Sequence, residues 1–199
     1  MIRTKQNPPD MENKRKMLLF VCLSATTLLY GQVVGIKTNV LMDITKTINL
    51  GVEIGLTSQS TLDVYANYNP WKDNNYKMFK MLAFQPEYRY WFCDRFNGHF
   101  IGIHAHGGIY QTAGIKMPFG LWKELENHRY KGHFYGAGIS YGYQWLMGKH
   151  WNIEANIGIG YVRARYEKYP CVDCGEKVDE GHKNYFGPTK AAVSLIYLF

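Results

Sequence analysis

From residue 33 to the C-terminus, apolar side chains return at every second position, in segments of about ten residues separated by turn chemistry. A period of two belongs to an extended strand with two unlike faces, so its repetition predicts an all-β chain of many strands. The cleanest segment sets Ile48, Leu50, Val52, Ile54 and Leu56 on one face against Asn49, Gly51, Glu53 and Gly55 on the other. The next sets Leu62, Val64, Ala66 and Tyr68 against Asp63, Tyr65 and Asn67. Eight segments follow the rule: Val33–Met42, Thr47–Leu56, Thr61–Asn69, Lys80–Phe92, His99–Tyr110, Tyr130–Trp145, Trp151–Tyr166 and Pro188–Phe199. The breaks at 57–60, 93–98 and 147–149 are short, whereas 69–79, 111–129 and 167–187 are longer and more polar. The first connection, near Asp43 to Lys46, departs from this order by being short. Short turns at one rim and long loops at the other predict an eight-stranded, up-and-down antiparallel transmembrane β-barrel. No segment with a helical period competes.

Alternation by itself allows two barrels, one with the apolar face inside and one with it outside. Volume separates them. Together the apolar faces carry about thirty large side chains, among them Tyr135, Ile139, Tyr141, Tyr143, Trp145, Trp151, Ile153, Ile157, Ile159 and Tyr161 on two neighbouring segments. An eight-stranded barrel has an interior just wide enough for side chains to fill, so this set would overpack it. The opposite faces read Gly136, Gly138, Ser140, Gly142, Gln144 and Asn152, Glu154, Asn156, Gly158, Gly160, which suit a narrow lumen. The apolar face is therefore expected to meet lipid. Aromatic residues gather at segment ends, as they do at the two boundaries of a bilayer: Tyr90, Phe92, Trp145, Trp151, Tyr197 and Phe199 near the short turns, and Tyr68, Trp71, Tyr130, Tyr161 and Tyr166 near the long loops.

The N-terminal segment reads as an export signal. Lys14, Arg15 and Lys16 precede the apolar run from Met17 to Tyr30, and Gly31 is a small residue at a plausible cleavage point. The expectation is a cleaved signal peptide over 1–31 and a barrel over 32–199, with translation starting at Met1 or Met11. An uncleaved anchor is the alternative, although the run is short for a span. Cys22 makes a poor lipoprotein site because Val21 precedes it and it lies inside the apolar run. Of the chain's net charge of +7, the signal carries five basic and two acidic residues, leaving 18 basic and 14 acidic ones, a net of +4. That balance gives no argument for nucleic acid.

The inward set is expected to hold Lys37, Asn39, Glu53, Asp63, Gln85, Glu87, Arg89, His104, His106, Glu154 and Lys190. Charges in so confined a space must pair, because an isolated one costs several kcal/mol. Lys37 and Glu53 fall on adjacent strands and Glu87 and Arg89 are two apart on one face, so a salt-bridged plug is expected. His104, His106 and Glu154 are the alternative, as a metal or proton-relay site.

Cys171 and Cys174 sit in the last long break. A disulfide suits an oxidising compartment, while free thiols, metal binding with His182 and redox work stay open. Cys93 is placed at the other rim. His128, His133, His182 and Glu167 are the candidates for an enzyme acting on lipid A or peptides, yet no serine lies in the long breaks. No cofactor motif occurs. The chain closes on Val193, Leu195, Tyr197 and Phe199 along one face, which looks like the terminal signal read by the barrel-assembly machinery.

Lys37-Thr38-Asn39, Tyr68-Asn69-Pro70-Trp71, Pro86-Glu87-Tyr88-Arg89-Tyr90-Trp91, Asn97-Gly98-His99-Phe100-Ile101-Gly102 and Phe186-Gly187-Pro188-Thr189-Lys190 occur in this order. With them the chain resembles a family of uncharacterised small outer-membrane barrels, a domain of unknown function found in gut-type Gram-negative anaerobes. The resemblance implies an OmpA/OmpX-like barrel, often encoded near surface-fimbria or cell-envelope genes, and carries no activity. The expected function is non-enzymatic: an outer-membrane barrel with a plugged lumen whose external loops bind an envelope or fimbrial partner. A barrel enzyme is the alternative and a small pore the second.

Overall fold

A computed structural model describes residues 34–72, 78–114, 128–170 and 176–199. The signal segment at 1–31 and both Cys171 and Cys174 lie outside the described residues. The elements are β1 (Val34–Asn39), α1 (Val40–Ile44), β2 (Ile48–Gly55), β3 (Ser60–Lys72), β4 (Met78–Trp91), β5 (Gly98–Ala113), β6 (Arg129–Leu146), β7 (Trp151–Tyr169) and β8 (Asp179–Leu198). Each strand pairs antiparallel with its neighbours in sequence, and β1 also pairs with β8, so one sheet closes on itself through a ring of hydrogen bonds. The chain end seals that join, with Phe199 N–H donating to the Val34 carbonyl at 2.9 Å. Closure removes the sheet edges that would otherwise leave backbone groups unpaired.

One end of the ring, the near end, carries Val34, Phe199 and the three short turns. The other, the far end, carries α1 and the connections that begin after β3, β5 and β7. Strand length grows from six residues in β1 and eight in β2 to 19 in β7 and 20 in β8. The far end is consequently lopsided, with β7 and β8 reaching well past β1.

The faces are arranged as the alternation predicts. Ile157 is 69% exposed and Ile103 67%, whereas Glu53 and Arg89 are fully buried. Glycine lets the interior close. A Cβ at Gly142 would lie 2.3 Å from Phe100 Cζ, because the Phe100 ring fills that space. Phe100 belongs to a near-end interior layer with Trp91, Phe96 and Ile196, all buried. The Trp91 and Phe100 rings pack at 4.7 Å, and Trp91 Nε1 donates to Thr61 Oγ1 at 3.0 Å.

Three features depart from the expected pattern. β1 stops at Asn39 instead of continuing to Met42, and α1 follows. Asn39 caps this short helix by accepting from the Leu41 N–H at 3.1 Å, and Asp43 accepts from Thr38 Oγ1 at 2.9 Å and Asn49 Nδ2 at 2.7 Å. β8 begins at Asp179, nine residues before the expected Pro188. A register shift against β7, where Gly158 faces Lys190 but Ile159 faces Pro188, leaves Thr189 as an extra residue. The bulge turns Thr189 and Lys190 to the same side and reverses the parity upstream, so the alternation there runs out of phase. Tyr130 and Tyr166, placed by the sequence in an outer aromatic belt, instead face inward, with Tyr130 4% exposed and the two rings 5.5 Å apart. They share parity with Gly132 and Gly160, and parity outranks proximity to a loop.

Replacing Gly142 by leucine is expected to displace Phe100 and Trp91 and to cost about 1–3 kcal/mol. Leucine at Gly148, which has nothing within 4 Å of its ideal Cβ, should cost far less. Thermal melts of the two variants followed by circular dichroism in detergent compare them, and equal melting temperatures would contradict the packing described.

Candidate functional site

Above the near-end aromatic layer, seven charged side chains from six strands meet inside the ring. Lys37 of β1, Arg89 of β4 and Lys190 of β8 supply the cations; Glu53 of β2, Asp63 of β3, Glu87 of β4 and Glu154 of β7 supply the carboxylates. Period two puts each of them on the inward face, and cross-strand register brings them level: Glu53 faces Asp63, and Asp63 faces Glu87.

Arg89 is the hub. Its Nε donates to Glu87 Oε1 at 2.8 Å, and its Nη1 donates to Glu53 Oε2 at 2.9 Å and Glu154 Oε2 at 2.8 Å. Its Nη2 reaches Glu154 Oε1 at 3.0 Å and lies 2.7 Å from Asp63 Oδ2. The planar guanidinium is the one side chain with enough fixed donors to serve four carboxylates at once. Lys37 Nζ donates to Glu53 and, at 3.2 Å, to Glu154. Lys190 Nζ donates to Glu87 and stands 3.8 Å from Asp63. Asp63 is held by charge more than by aligned hydrogen bonds, since neither of its oxygens has a donor pointing along the contact.

Neutral groups complete the shell. Thr61 Oγ1 donates to Glu53, Ser140 Oγ to Glu87 at 3.1 Å and Asn156 Nδ2 to Glu87 at 3.4 Å. The Tyr65 ring lies beneath both lysines, 5.7 Å from Lys37 Nζ and 5.6 Å from Lys190 Nζ, and its hydroxyl meets Ser194 Oγ at 2.8 Å. Arg89 also stacks over Phe100 at 4.5 Å, which joins the ionic layer to the aromatic one.

The expected inward residues are thus brought together, with one subdivision. Lys37, Glu53, Asp63, Glu87, Arg89, Glu154 and Lys190 form the network. Asn39 sits at its far-end margin and bonds to β8, its Oδ1 accepting from Val193 N–H at 3.2 Å and its Nδ2 donating to the Ala191 carbonyl at 3.3 Å. His104 borders the network, with Nδ1 3.9 Å from Glu87 and Nε2 3.0 Å from Thr189 Oγ1. His106 lies beyond it, its ring tilted against that of His104 at 5.6 Å. The metal alternative for His104, His106 and Glu154 is not assembled. Both Glu154 oxygens are occupied by Arg89, and among the described residues no three metal-binding side chains converge. The sequence reading did not include Trp91, Phe96, Phe100 and Ile196 in the interior. Trp91 has the parity of Arg89, and Phe100 that of His104, so the signal was present.

Of the candidate enzyme residues, His133 and His182 flank Arg165 on the outer face, in register with it from β6 and β8. Glu167 faces Glu180 one step further along. Val193, Leu195 and Phe199 lie on the outside of β8 as expected, and Tyr197 packs edge-on against Trp151 at 5.1 Å. Cys93 is an exposed free thiol in the near-end turn after β4.

Removing the hub tests this account. Arg89→Met leaves four buried carboxylates with only two lysines, and is expected to cost about 3–5 kcal/mol, against a far smaller loss for exposed Lys149→Met. Glu53→Lys should destabilise through like-charge crowding with Lys37. Urea titrations followed by tryptophan fluorescence give the ranking, and an unchanged midpoint for either interior variant would refute it.

Among comparisons with known proteins, a family model described as a protein of unknown function, DUF3575, matches residues 17–199. No curated protein and no solved structure matches the chain.

Proposed function

Starting from a chain that belongs to the DUF3575 family, whose function is unknown and which therefore lends no activity, we propose a non-enzymatic outer-membrane β-barrel with a plugged lumen. Its far-end surface serves a structural or binding role in the envelope of a Gram-negative cell. The observation that carries this reading is the inversion of polarity. A closed sheet turns Ile101, Ile103, Ile139, Ile157 and Leu195 outward while burying seven charges. In water such a surface is costly, since each large aliphatic side chain forgoes about 1.5–3 kcal/mol by staying exposed. Against acyl chains the cost vanishes, and the closed ring leaves no open sheet edge over its shared span. Aromatic side chains border the aliphatic zone on both sides, with Tyr90, Phe92, Trp145 and Trp151 at the near end and Tyr68, Tyr135 and Tyr161 at the far end. Among the described residues no helix is long and apolar enough to cross a membrane.

The interior argues against transport. The side chains of Lys37, Glu53, Asp63, Glu87, Arg89 and Glu154 are all inaccessible to solvent, so an ion moving along the axis would have to break a paired network. A signal peptide over 1–31 and recognition of the terminal strand by the barrel-assembly machinery belong to the same proposal.

Denatured protein is expected to refold into phosphatidylcholine vesicles, run faster on a gel unless boiled, and show no single-channel steps in planar bilayers. Ile157→Arg, at mid-height on the outer face, should cost about 2–4 kcal/mol in that membrane. Recovery of the protein in a detergent-free soluble fraction would overturn the reading, stepwise conductance would overturn the plug, and an altered lipid A acyl pattern in a deletion strain would restore the enzyme.

A further inference from the structure

We propose that the outer face of the far end binds a phosphorylated glycolipid of the surrounding leaflet, with lipid A as its chemical type; this rests on the membrane reading above. The evidence begins with register. On the outward faces, Leu82, Ile109, His133, Arg165 and His182 form one row across β4 to β8, and Lys80, Gln111, Lys131, Glu167 and Glu180 form the next. Arg163 lies one step nearer the aliphatic zone, beside Tyr135 and two residues from Tyr161. Two residues along a strand advance about 6.6 Å. The cations therefore begin within one such step of the aromatic border.

The six basic side chains here, Lys80, Lys131, His133, Arg163, Arg165 and His182, line a concavity of about 920 Å³. Arg165 faces His133 and His182 across its two ladders, and no carboxylate among the described residues stands in its row. No carboxylate within the described residues pairs with Lys80, Lys131, Arg163 or Arg165, and Arg163 Nε is buried without a hydrogen-bond acceptor. The two acids in the same concavity are engaged elsewhere, Glu167 accepting from Tyr169 OH at 2.9 Å and Glu180 from Lys177 Nζ at 2.6 Å. That bond holds the Glu180 carboxyl below its usual range.

The lining is also graded. Along the shared row Tyr68, Leu82 and Ile109 of β3 to β5 make one half apolar, and His133, Arg165 and His182 of β6 to β8 make the other basic, with Arg163 below it beside the aromatic border. A ligand matched to cations that begin beside Tyr135, next to an apolar surface, is an amphiphile, with acyl chains along the aromatic and aliphatic side chains and phosphates on the guanidinium groups, whose forked donors fit phosphate oxygens. A nucleotide or free phosphate would leave the apolar side unused.

The test uses refolded full-length protein in phosphatidylcholine nanodiscs doped with lipid A or with the same lipid A after phosphatase treatment, read by native mass spectrometry after gentle release. Wild type is expected to retain phosphorylated lipid A at least about tenfold more than the dephosphorylated form, since two charge-assisted contacts are lost. Arg163→Glu with Arg165→Glu should abolish the preference, and Lys149→Glu in a near-end turn should leave it intact. If the glutamates impair folding, the Arg163→Gln, Arg165→Gln pair replaces them and should reduce retention in the same direction. Equal retention of both lipids by inserted, heat-modifiable wild type would overturn this inference and leave the membrane reading standing. Displacement by millimolar inorganic phosphate alone would overturn it too, by showing an anion site indifferent to acyl chains. Failure to insert into the nanodiscs would instead overturn the membrane reading.

Discussion

Arg89 and the four carboxylates around it decide what kind of closed sheet this is. Taking ions out of water costs several kcal/mol each, and only close geometry with every donor used returns that cost. Here the return depends on six strands at once, because Glu53, Asp63, Glu87, Glu154, Lys37 and Lys190 reach the centre from different staves of the ring. Sliding one strand by a single residue would turn its charge outward and leave the others uncompensated. The network therefore acts as a register lock. A slide of two residues would keep the apolar face outward and go undetected on that side, whereas the network would lose its partners.

The interior is layered along its axis, and each layer solves a different problem. At the near end Trp91, Phe96 and Phe100 fill the space, with glycine opposite at Gly142 to admit the Phe100 ring. In the middle the ions pair. Toward the far end His104, His106 and Phe134 follow, over glycines at 136 and 138 that no larger residue could replace without meeting a backbone carbonyl. Arg89 links the first two layers by stacking on Phe100, and Thr61 links them again by donating to Glu53 while accepting from Trp91.

Most of this was legible because period two is a local rule with a global consequence. Once Glu53 and Gly51 share a face, the side each neighbouring strand presents follows, and the pairs Lys37–Glu53 and Glu87–Arg89 could be anticipated from sequence. The rule failed where the chain ceased to be regular. Thr189 adds one residue to β8, so the polar stretch from Asp179 to Gly187 alternates in the opposite phase and did not read as strand. Asn39 ends β1 through its own side chain, a local competition between capping and pairing that apolar periodicity does not record. Tyr130 and Tyr166 were misplaced by weighing loop proximity over parity. The outer basic cluster was not visible as a cluster at all, because its members come from four strands and converge only through register.

The unequal strands tie these features together. β1 covers β8 only as far as Ser194, and beyond it the described residues of β8 pair with β7 alone. Asn39 and α1 occupy the first part of the edge this leaves. Further along, the Thr189 bulge, Pro188 and the charges of Lys183, Glu180 and Asp179 are the devices by which a strand edge avoids pairing with another chain. The length that creates this edge also lifts Arg163 and Arg165 past the aliphatic zone. Had β7 and β8 ended level with β1, that edge and the two arginines would be absent. The extension exchanges perfect closure for a polar outer face beyond the aliphatic zone, the face on which the binding role proposed above depends.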